Sequence, residues 1–79
     1  MLGSKVMGTF PFGWIRDIRD ENWQLLWDSS TGTLYVKGAK TQKRYDLGQA
    51  PEWLAAKGLA GKFIDEPGLF KEMINYKGN

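Results

Sequence analysis

A chain of 79 residues with no cysteine, no histidine, four tryptophans and ten glycines has the length of one small domain. Such a domain buries only about 60% of the surface its unfolded chain exposes, so its stability is marginal. Neither a disulfide nor a Cys/His zinc site is available to reinforce it. The net charge of +2 and pI near 9.0 are too mild to indicate nucleic acid by themselves.

The hydrophobic content of 42% with 25% charged residues is that of a globular chain and not of a disordered one. Without histidine or cysteine, the Ser-His-Asp and Cys-His catalytic arrangements are excluded. The expected burden of stabilisation falls on aromatic side chains, each of which buries roughly 150 to 250 Å².

Lys5 precedes the uncharged run 6–15, but Pro11 interrupts it. The charged residues 16, 17, 19 and 20 follow where a signal-peptide cleavage site would lie. The run is also too short to cross a bilayer. The expectation is a cytoplasmic protein without a membrane partner. Residues 1–13 are read as either flexible or folded over a sheet.

The first strand candidate is 14–18, followed by a charged turn at 19–22. The second is 23–27 and the third 33–37, rich in β-branched and aromatic residues. Between the last two, Asp28 through Gly32 form a strong hairpin signal, because Asp bonds its own backbone and Gly accepts positive φ. A looser turn at 38–42 leads to a fourth candidate at 43–47.

Beyond residue 50 the signals become helical. Pro51 opens a candidate whose expected stop is Gly58, with Leu59 after it. A second helix is expected from Glu66 and Pro67 to Lys77, with Leu69, Phe70, Met73 and Tyr76 on its apolar face. The predicted fold is therefore α+β, a three- or four-stranded antiparallel meander at 14–47 followed by two helices at 50–77 packed on one sheet face.

Alternation puts Trp23, Leu25 and Trp27 on one side of the sheet and Leu26 on the other. Both faces carry apolar groups, and three arrangements satisfy the pattern. Leu26, Leu34 and Val36 face the helices and leave Trp23, Trp27 and Tyr35 open, or the tryptophans are inside, or Phe10, Phe12 and Trp14 fold over the open face. An exposed aromatic set marks a contact surface.

Several motifs fail. Asp17, Asp20 and Glu21 lack calcium-loop spacing, and Arg16 and Arg19 between them suit a solvated turn. Gly58 through Lys62 follow a helix instead of preceding one, which is wrong for a phosphate loop. No cofactor, metal or small-molecule substrate is implied. A helix-turn-helix is disfavoured by the expected connection from Gly58 to Asp65, longer than the usual turn.

Lys37, Lys40, Lys43 and Arg44 place four positive charges together with no acid among them, so the rest of the chain carries −2. Tyr35 and Tyr45 flank them. Cations beside rings suit phosphate contact with base stacking, although lysines also protect sheet edges.

Trp23, the hairpin 31–36, Thr41, Gln42 and Tyr45 are loosely similar to a WW domain, a curved three-stranded sheet that binds proline-rich peptides. The similarity covers under a third of the chain. Tyr45 stands for that family's second tryptophan, its histidine is absent and its closing proline is not in place. What it implies is that an aromatic meander can serve as a peptide-binding surface.

The leading expectation is a small non-catalytic module that binds another protein, or its own copy as a homodimer, through Trp23, Trp27 and Tyr35. The alternative is nucleic-acid binding through Lys37, Lys40, Lys43, Arg44 and Tyr45.

Overall fold

The computed structural model describes residues 8–77 and the side chains of residues 8–75. Four strands, β1 (Thr9–Ile18), β2 (Glu21–Asp28), β3 (Thr33–Gly38) and β4 (Arg44–Gln49), form one antiparallel sheet in sequential order. Helices α1 (Trp53–Asp65) and α2 (Pro67–Lys77) follow and contact the sheet. This is the α+β meander with two C-terminal helices that the pattern predicts.

The β2–β3 hairpin forms for the expected reason. The Asp28 carboxylate accepts hydrogen bonds from the Ser30 backbone N–H and hydroxyl at 2.9 and 2.6 Å. Gly32 takes φ +75° and its N–H donates to the Asp28 carbonyl at 2.7 Å. This closure fixes the register, pairing Asp28 with Thr33 and Leu25 with Val36, and register decides which side chains share a face. Trp23, Leu25 and Trp27 therefore join Leu34 and Val36 on the helix side. Leu26 lies opposite Tyr35 on the other side.

β1 starts at Thr9, five residues before the strand expected at Trp14. Phe10 and Phe12 belong to it and do not fold over the open face. Phe10 packs on Trp27 and Phe12 on Trp53, with ring centroids 5.8 and 5.7 Å apart. Phe12 is the extra residue of a bulge between Pro11 and Gly13. Gly13, at φ +142°, lets α1 approach closely, since a Cβ there would meet Ile64 Cδ1 at 3.0 Å.

The expected helix stop at Gly58 is overturned, because α1 continues through Gly58 and Gly61 to Asp65. Each glycine costs a helix about 1 kcal/mol relative to alanine. Ala56, Ala60 and Phe63 are buried on that helix, and burying one phenylalanine contributes about 1.5–3 kcal/mol. Burial outweighs the local signal. The connection to α2 is then Glu66 alone, not the eight-residue loop read from the sequence. Proline opens α2 as expected, but Phe70 and Ile74 carry its buried face, with Leu69 and Met73 partly buried. The Tyr76 side chain lies outside the described residues.

Candidate binding surface

The three proposed protein-contact anchors are not available on the surface of this chain. Trp23 is 2% exposed and Trp27 6%. A buried indole needs a partner for its N–H, and both have one. Trp23 Nε1 donates to the Ile18 carbonyl at 2.9 Å and Trp27 Nε1 to the Ala50 carbonyl at 3.2 Å. Phe70 packs edge-on against Trp23 at 5.1 Å. Tyr35 lies on the outward face yet is only 8% exposed, and the Arg44 guanidinium lies over its ring at 3.9 Å from the centroid.

The alternative set is divided by the same register. Val36 pairs with Tyr45 and Lys37 with Arg44, so Tyr45 points inward. It packs against Trp23 at 5.5 Å and Phe70 at 5.9 Å, where it can stack on no ligand base. The WW-like aromatic pair is thus part of the core. Lys40 is committed to the turn, its Nζ donating to the Asp20 carbonyl at 2.7 Å. Arg44 Nε donates to Asp46 at 2.9 Å, both side chains well exposed. Lys37 and Lys43 are exposed.

The outward face is a grid of cross-strand rows. One row runs Trp14, Gln24, Lys37, Arg44, and the next Pro11, Leu26, Tyr35, Asp46. Trp14 is 42% exposed, Leu26 and Gln24 are half-buried, and neither helix reaches this side. Trp14 was missed as an anchor. The signal was its neighbour, since once Ile15 is assigned to the core, alternation turns Trp14 outward.

The end of the sheet where the β1–β2 and β3–β4 turns meet is locked by Glu21. This buried carboxylate accepts hydrogen bonds from the N–H groups of Lys40 and Thr41 and from the Thr41 hydroxyl, all at 3.1 Å. Burial pushes its pKa up, but those bonds and the nearby Lys40 ammonium push it down further, leaving it below the ordinary 4.5. Gly38 leaves the space, as a Cβ there would overlap the carboxylate.

Backbone at positive φ is concentrated in the same region, at Asp17, Arg19, Asp20 and Gln42. Arg19 reaches across to the end of α2, where its guanidinium donates to the Ile74 carbonyl and Asn75 Oδ1, both at 3.2 Å. Among the described residues no group of three potential ligands is placed to hold a metal ion.

The outer side of α1 is a second apolar surface. Trp53, Leu54 and Ile64 are exposed, with the Lys57 ammonium 5.3 Å from the centroid of the Trp53 ring. No helix among the described residues is long and apolar enough to cross a membrane. Compared with known protein families, curated proteins and solved structures, the chain matches none.

Proposed function

We propose that this protein is a small non-catalytic binding module whose contact surface is the outward face of the sheet. The observation that carries the reading is Trp14, 42% exposed on the side of the sheet that neither helix covers. A lone exposed ring is ordinary on a protein surface; Trp14 supports the reading because it stands in one row with Gln24, Lys37 and Arg44 on that face. The lack of histidine and cysteine in the sequence supports binding over nucleophilic catalysis.

A protein partner on this face would be anchored by Trp14 with Leu26 beside it, replacing the roles first given to Trp23 and Trp27. Aromatic anchors dominate interface energetics, and here a single indole heads a row that continues through Gln24, Lys37 and Arg44.

Site-specific photo-crosslinking in the native cell tests the surface whatever the partner is. A photoreactive residue replacing Trp14 or Gln24 is expected to give adducts, and the same residue replacing Lys71 on α2 is expected to give none. Adducts at Lys71 alone would defeat the assignment. Sensitivity of the adducts to protease or to nuclease then separates the partner classes.

A further inference from the structure

We propose that a single-stranded nucleic acid crosses the outward face along the row Trp14, Gln24, Lys37 and Arg44. The proposal rests on the reading of that face as the contact surface and supplies its partner.

The register places these four residues side by side on successive strands. Strands lie about 4.8 Å apart, so the row spans about 14 Å, the scale of a four-stranded sheet that stacks about two or three bases. Each residue matches one part of a nucleotide. The exposed indole offers a stacking platform, which is sequence-tolerant because every base has a π-face. The Gln24 amide both donates and accepts, and Lys37 and Arg44 suit phosphates. The arginine lies over the Tyr35 ring, which restricts its geometry in advance.

Charge complementarity favours a polyanion over a protein. Beyond the row, the exposed Lys43 adds a positive charge at the start of β4, while the chain outside residues 37–44 is net negative. Two carboxylates share this face, Asp46 paired with Arg44 and Asp28 held by Ser30; both keep their charge, so the positive potential of the face comes from Lys37 and Lys43. Tyr35, the other ring of the outward face, is buried, so the face lacks the apolar centre of a protein interface. An unpaired strand is specified because bases paired in a duplex cannot stack on a flat ring.

The experiment is a fluorescence-anisotropy titration of the full chain with mixed-sequence single-stranded DNA and RNA oligonucleotides. It is repeated with a duplex and across a salt series. Two to four phosphate contacts give a slope of log affinity against log salt of about −1.4 to −2.8. Trp14→Ala is expected to weaken binding by about 5- to 150-fold, and Lys37→Glu to weaken it and flatten the slope. Lys71→Glu, on α2, leaves it unchanged, and circular dichroism confirms that each variant is folded. No binding at low salt, or preference for the duplex, overturns the proposal. If oligonucleotides do not bind but crosslinks at positions 14 and 24 capture protein, only the nucleic-acid assignment fails. If binding is insensitive to Trp14→Ala and Lys37→Glu yet lost in Lys71→Glu, the reading of the face fails with it.

Discussion

The two faces of the sheet use tryptophan in opposite ways. On the inner face, Trp23 and Trp27 are enclosed, and each indole N–H is bonded to a backbone carbonyl. On the outward face, Trp14 is exposed and lies across from Gln24. The same side chain is core material where two helices can cover it and stays exposed where nothing does. Composition counts the rings and does not distribute them.

The sharpest way to break this comparison is truncation on the inner face. Trp23→Ala should cost about 3–5 kcal/mol, most of the stability of a domain at the low end of the usual 5–15 kcal/mol. Loss of a cooperative thermal transition is the expected result. A variant that melts like the parent would show that Trp23 is not core.

Next is the lock at the end of the sheet. Glu21→Gln should cost about 1–3 kcal/mol through weakened charge-assisted hydrogen bonds. Because the folded-state pKa of Glu21 is lowered, the unfolded chain takes up its proton first as pH falls. The contribution of the carboxylate is complete above its ordinary value of 4.5 and is lost as pH falls through the folded value. Chemical denaturation across that acid range should show a smaller drop for Glu21→Gln than for the parent. Asp28, lowered by hydrogen bonds from Ser30, keeps part of the acid dependence in both proteins.

Gly58→Ala acts on the helix that covers the inner face and should stabilise it by about 0.5–1 kcal/mol, since a Cβ there meets nothing within 4 Å. A helix stop at that position would make the same change destabilising, so a urea midpoint decides between them. The smallest effect is expected for Trp14→Ala, within about 0.5 kcal/mol as for other surface substitutions. Its loss should instead remove a quencher-accessible share of the tryptophan fluorescence. A large destabilisation would move Trp14 from the contact surface to the core.

Much of the fold was legible because its signals are local. Asp28 and Gly32 specify the hairpin by their own backbone chemistry, Pro67 opens α2, and β-branched and aromatic content marks β3. The long β1 was hidden because its first half holds Pro11, a bulge at Phe12 and Gly13, all of which read as interruptions. Gly58 misled for a related reason, since a local stop signal carries no information about the buried faces on either side of it.

By itself the sequence determined that a sheet and two helices exist, that both sheet faces carry apolar groups, and that histidine and cysteine chemistry is absent. It also grouped the cations of residues 37–44. Only the tertiary structure decided which faces meet. Alternation divides each strand into two sets, and the pairing of Leu25 with Val36 then joins the tryptophans to Leu34 and Val36 under the helices. That register sends Tyr45 inward, sets Lys37 and Arg44 in one outward row with Trp14, and makes the candidate surface a property of strand pairing that no single segment contains.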